Sequence, residues 1–77
     1  MEVVTKKLGR ERSWGLAHID ERLIVLDSRL SKKKHLEILI HEALHLLNDD
    51  WSETKVLRQS KKLTKVLWDQ GYRKCDL

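Results

Sequence analysis

Proline is absent from this chain, glycine occurs three times and cysteine once. A lone Cys75 excludes an intramolecular disulfide and fits a reducing, cytosolic compartment. With no proline and little glycine there is no linker composition, so the 77 residues are expected to form one domain, 1–77. No apolar run approaches the ~20 residues that span a bilayer, which argues against a membrane protein. The opening Met1-Glu2-Val3-Val4-Thr5-Lys6-Lys7 lacks the apolar stretch of a signal peptide, so none is expected. Repeats and low-complexity segments are also missing. A chain this short buries only a small core, and such chains often use a bound metal as a staple.

The net charge is +4, with charged residues of both signs well mixed. Hydrophobic residues make up 40% of the chain, which places it among globular domains and not disordered ones. The positive balance permits binding to nucleic acid or to an acidic protein partner without requiring it.

One stretch carries chemistry. Ile38-Leu39-Ile40-His41-Glu42-Ala43-Leu44-His45-Leu46-Leu47 sets His-Glu-x-x-His inside an apolar run. On an α-helix, residues four apart stack on one face, so His41 and His45 can aim two imidazole nitrogens at one ion. Glu42 sits about 100° round the helix, within reach of a water on that ion. Two nitrogen ligands, a third ligand elsewhere and a carboxylate base beside an open position are what a zinc hydrolase requires. A core helix that merely carried these groups would leave a buried carboxylate and two imidazoles in need of partners.

The remaining chain reads as α+β: a small N-terminal antiparallel β-sheet of two to three strands packed on two α-helices. Residues 2–8 lean to β through Val3, Val4 and Thr5. Gly9 to Ser13 reads as a polar turn. Residues 14–19 and 22–26 form a hairpin about Asp20-Glu21. Trp14, Leu16 and His18 share one face of its first strand, and the small Gly15 and Ala17 on the other invite a closely packed helix. Leu23-Ile24-Val25-Leu26 suits a strand covered on both faces. Ser31 caps a first helix over about 32–48, whose core stripe is Leu36, Ile40, Ala43, Leu44 and Leu47. Lys32, Lys33 and Lys34 oppose the helix dipole in its first turn, as a solvated start or a basic patch beside the cleft. Asn48-Asp49-Asp50-Trp51 turns the chain into a second helix over about 51–70, with Val56, Leu63, Val66 and Leu67 inward. Lys55, Arg58, Lys61, Lys62 and Lys65 face solvent, and Gly71 stops the helix.

A catalytic zinc takes three protein ligands and a water. No histidine follows His45, so the third ligand is a carboxylate or His18 from the hairpin. Glu53, in the first turn of the second helix, arrives near His45 if that helix folds back. Asp69 lies over ~20 Å further along. Asp50-Trp51-Ser52-Glu53 also matches a capping box, in which Glu53 only satisfies the helix start. Asp49 and Asp50 are alternative donors.

His41-Glu42-x-x-His45, preceded by a hairpin and followed by a helix bearing Glu53, resembles the zincin metallopeptidases. With a glutamate as third ligand it looks like a gluzincin, and its size is similar to the single-domain minigluzincins. Small phage and bacterial SprT-like and ImmA/IrrE-like metallopeptidase domains share that core. The resemblance spans residues 14–70 in order of elements and is most specific at residues 41–45. It implies Zn2+ bound by His41, His45 and Glu53, with Glu42 as general base in peptide hydrolysis. It also implies a hairpin edge strand along which an extended peptide or protein substrate lies, and an oxyanion-stabilising group for which Tyr72 and Arg73 are candidates. The rival expectation is a zinc-stabilised binding module without catalysis, with a basic face for nucleic acid or an acidic partner.

Overall fold

The fold comes from a computed structural model, which describes residues 1–8 and 14–75; the expected turn at Gly9–Ser13 lies outside them. Three strands, β1 (Glu2–Lys6), β2 (Gly15–His18) and β3 (Leu23–Asp27), precede two helices, α1 (Lys32–Leu47) and α2 (Glu53–Asp69). The sheet packs on the helices, as the α+β reading expected. Its strand order is β1-β3-β2. Leu23-Ile24-Val25-Leu26 therefore occupies the central strand, and Ile24, Val25 and Leu26 are all buried. Ile24 and Leu26 face α1 and join its Leu46, with Ala17, Ile38, Leu39 and Ala43 packed around them.

The sheet is mixed where an antiparallel one was expected. β2 runs antiparallel to β3, but β1 runs parallel to it, with Val3 beside Ile24 and Thr5 beside Leu26. The hairpin fills only one edge of β3. β1 takes the other, which it reaches by crossing over, so its direction follows from the crossover and not from a turn. The hairpin turn is wider than Asp20-Glu21: strands end at His18 and Leu23, with a four-residue turn between. Arg22 adopts φ 52°, the left-handed conformation that closes such a turn.

Local signals set the helix ends. Ser31 accepts a hydrogen bond from the Lys34 amide at 3.3 Å, the expected N-cap. The Asn48 amide donates to the Leu44 carbonyl and closes α1. Beyond α2, Gly71 has φ 89°, and the Tyr72 amide donates to the Leu67 carbonyl at 3.0 Å. Gly71 is thus the expected stop.

The buried stripes differ from those the large apolar residues suggest. On α1 the inward face carries Ile38, Leu39, Ala43 and Leu46, while Leu47 is exposed. On α2 it carries Val56, Ser60 and Thr64 at four-residue spacing, and Leu63 and Val66 are exposed. The hydroxyls are satisfied within their own helix: Ser60 donates to the Leu57 carbonyl at 3.0 Å and Thr64 to the Ser60 carbonyl at 2.6 Å. Small side chains with internally bonded hydroxyls can sit between close helices where leucines would not fit.

The corner after β3 is pinned by charge. Arg29 donates through Nε and Nη2 to the two oxygens of the buried Asp27 carboxylate at 3.0 and 2.7 Å, and its amide adds a third bond at 2.8 Å. Chiefly through these hydrogen bonds, Arg29 holds the Asp27 carboxyl well below its ordinary 3.8. A carboxyl depressed on folding contributes stability above its unfolded value and loses it as pH falls toward the folded one. The urea midpoint of the wild type should therefore exceed that of Arg29→Ala most above about pH 5, the gap narrowing below pH 3.8; a gap constant from pH 3 to pH 7 would contradict this. Separately, Ser60→Leu should destabilise by about 1–3 kcal/mol in urea titrations despite its added hydrophobicity.

Candidate metal centre

The sequence placed His41 and His45 one turn apart, and α1 keeps them there. Their rings lie 4.9 Å apart, centre to centre, with planes at 69°. Both are largely buried. What faces them comes from α2. Glu53 presents one carboxylate oxygen to His41 Nε2 and the other to His45 Nε2, each at 2.8 Å.

The start of α2 explains why Glu53 is available. Ser52 is its N-cap, accepting from the Lys55 amide at 3.2 Å. The capping box read at Asp50-Trp51-Ser52-Glu53 is displaced by two residues, which moves Glu53 to the first helical position. A side chain there has no amide of its own turn to satisfy and projects off the helix end. The short turn through Asn48–Ser52 brings that end beside the last turns of α1.

One ligand atom from each of His41, His45 and Glu53 lies within 4.8 Å of the others, a spacing that one ion can span. Two neutral imidazoles and one carboxylate are a donor set that suits zinc and leaves room for water. The residues present therefore fit the ion.

Glu42 stands apart from this set. Its carboxylate makes no hydrogen bond to another described residue. It is half-buried and lines a cavity of about 350 Å³ with Trp14, Gly15, Ile38, His41 and Leu57. Burial pushes its pKa up from the ordinary value, His41 and His45 oppose that rise, and Glu53 adds to it. Lys34 and Glu37, paired at 3.4 Å, form the cavity's rim, and the Lys34 ammonium sits 4.4 Å from the Trp14 ring centre.

β2 forms the edge of the sheet beside this cavity. Gly15 and Ala17 face α1, as their small size suggested. A Cβ on Gly15 would lie 2.6 Å from Ile38 Cγ2 and 3.3 Å from Glu42 Cγ. The edge strand and the helix that carries Glu42 are therefore in direct contact only because residue 15 lacks a side chain.

The other candidates lie elsewhere. His18 is exposed on the sheet face turned away from the helices, beside Leu16 and Val25. Asp49 and Asp50 are exposed in the turn. Tyr72 and Arg73 line a separate groove with His35, Leu36 and Leu39, and Arg73 stacks 3.9 Å from the Trp68 ring centre. Of the first-turn lysines, Lys34 borders the cavity, whereas Lys33 lies over Trp68 on another surface.

Lys34 was expected as a solvated helix start or part of a basic patch beside the cleft and borders it, whereas Leu57 and Trp14 were not expected at the cavity. Lys34 precedes His41 by seven and Leu57 follows Glu53 by four, so both were legible as helical neighbours of ligands. Trp14 was expected on the face opposite Gly15, but it lies just before β2, free of the strand's alternation, and lines the same cavity as Gly15. Comparison with protein-family models, curated proteins and solved structures finds no match to this chain.

The contact at Gly15 predicts an energetic coupling. Gly15→Ala should destabilise by about 1–3 kcal/mol. Combined with Ile38→Ala it should cost at least about 0.5 kcal/mol less than the two single effects summed, in a urea double-mutant cycle. Simple additivity would show that the side chains do not meet.

Proposed function

We propose that this protein is a zinc-dependent peptidase, with His41, His45 and Glu53 holding the metal and Glu42 acting as general base. The carrying observation is the division of labour between two carboxylates: Glu53 engages both imidazoles, while Glu42, one residue from His41, makes no hydrogen bond to another described residue and lines the cavity.

Bound there, zinc supplies Lewis acidity and makes a coordinated water acidic near neutral pH. Glu42 accepts a proton from the attacking water as its oxygen adds to the scissile carbonyl carbon. Glu42 then gives that proton to the departing amine nitrogen as the C–N bond breaks. Glu42's partial burial favours the protonated state it must pass through. The Trp14, Ile38 and Leu57 side chains line one side of the cleft and offer apolar contact to a substrate side chain. β2, as the neighbouring edge strand, is the element along which an extended peptide would lie. The same set of roles is what the likeness to gluzincins implied.

A second reading rests on the opposite end of the helix pair. There Lys33, Lys61, Lys65 and Trp68, with Glu37 and Asp69 among them, line a groove of about 240 Å³. Cations around an aromatic ring suit a nucleic-acid strand or an acidic segment. On this reading the metal is a staple and the protein a binding module.

Zinc content and hydrolysis, measured together on three proteins, separate the readings. Wild type and Glu42→Ala should each hold about one zinc by elemental mass spectrometry, and Glu53→Ala should bind it at least roughly tenfold more weakly. Cleavage of a casein digest should fall by about 10²–10⁴ in Glu42→Ala. Equal cleavage in wild type and Glu42→Ala would refute its role as base. Zinc binding without cleavage, with salt-sensitive DNA binding lost on reversing Lys61, Lys62 and Lys65, would favour the binding module.

A further inference from the structure

Among the strands and helices described, β1 contacts β3 alone. Neither helix contacts it. All five of its residues are exposed, with Val3 at 45% and Val4 at 36%, so apolar side chains stand open on both faces of the strand. Its outer edge is the second margin of the sheet, on the far side from the candidate metal centre.

The bonds to β3 fix which main-chain groups point outward. The Glu2 amide donates to the Arg22 carbonyl at 2.9 Å, and the Lys6 carbonyl accepts from the Ser28 amide at 3.0 Å. In a parallel ladder alternate residues bond to the same neighbour. Glu2, Val4 and Lys6 thus turn toward β3, and the N–H and C=O groups of Val3 and Thr5 turn away from it. An exposed edge of this kind is a template for another strand.

We infer that β1 pairs with β1 of a second copy of this chain, antiparallel about a two-fold axis at Val4, to join two sheets into one of six strands. The sequence Glu2-Val3-Val4-Thr5-Lys6 is complementary to its own reverse. In this register Val3 lies opposite Thr5 of the other copy, and these are the residues whose main-chain groups face outward. All four outward groups of each strand are satisfied. Val4 meets its own copy in the close, non-hydrogen-bonded position, where side chains approach best. Glu2 lies opposite Lys6 twice, and neither residue has an ion-pair partner among the described residues. Sliding one strand by a single residue would set inward-facing groups opposite outward ones. Sliding by two keeps the hydrogen-bond phase but separates Glu2 from Lys6. Hydrogen bonding and charge thus select the same register independently, and a two-fold pairing closes on itself without building fibres.

Two five-residue strands bury less than the roughly 1,200 Å² of a stable interface, so the dimer belongs to the weak class. Sedimentation velocity between about 10 µM and 1 mM should show reversible dimerisation. Thr5→Pro removes one outward N–H while leaving the β3 ladder intact. It should be monomeric throughout with unchanged circular dichroism. Glu2→Lys should weaken association roughly tenfold, and the exchanged pair Glu2→Lys/Lys6→Glu should restore it to within about threefold. Amide hydrogen exchange adds a residue-level test: Val3 and Thr5 should gain protection as concentration rises, while Glu2, Val4 and Lys6 are protected already. A wild type monomeric at every concentration would overturn the inference. So would a dimer insensitive to Glu2→Lys, or one whose added protection falls outside β1.

Discussion

Two imidazoles on successive turns of α1 share one carboxylate from the first residue of α2. That arrangement fixes the phase of α2 about its own axis and its height beside α1. Once Glu53 is set against His41 and His45, the positions three, four, seven and eleven residues along are committed to the same helix face or its flank. Leu57 falls at the mouth of the cavity. Val56, Ser60 and Thr64 fall on the side that meets the rest of the protein, and small hydroxyl side chains occupy the seam. The polar contact and the packing are thus two readings of one geometry.

The sheet contributes position more than bulk. β3 supplies the buried Ile24 and Leu26, and β2 rests on α1 through a glycine. Glu42 lies at that contact, so the carboxylate facing the cavity is held by a helix on one side and a strand on the other. The proton-transfer role proposed for Glu42 gains from such support, because its rotamer is restricted while its oxygens bond to no other described residue. Across the molecule all three tryptophans carry a cation close to the ring: Lys34 on Trp14, Lys55 on Trp51, and Arg73 with Lys33 on Trp68. Partly exposed rings are thereby covered by the aliphatic stems of charged residues.

What was legible in the sequence followed from local physics. The spacing of His41, Glu42 and His45, the Ser31 cap, the Gly71 stop and the all-apolar central strand each depend on residues within one or two turns. Glu53 was legible only as a choice between two roles. Asp50 and Ser52 are both good caps, and which one is used decides whether Glu53 bonds its own helix or projects toward α1. The inward stripe of α2 was misread because hydrophobicity was taken as the measure of burial; at Ser60 and Thr64 the spacing between helices selects size instead. The parallel pairing of β1 was not legible at all. Nothing within five residues states on which side of β3, some twenty residues away, a strand will settle.

The short turn between the helices has a kinetic side. All four residues of the candidate centre fall within positions 41 to 53, joined by five turn residues, whereas β1 meets β3 only by closing a loop of about twenty residues. Loop-closure entropy rises with the logarithm of length, and contacts near in sequence form soonest. The helical hairpin with its His-Glu-His clasp and the β2–β3 hairpin are therefore the parts of the chain best placed to assemble first. β1, with its more distant partner, has the larger loop to close.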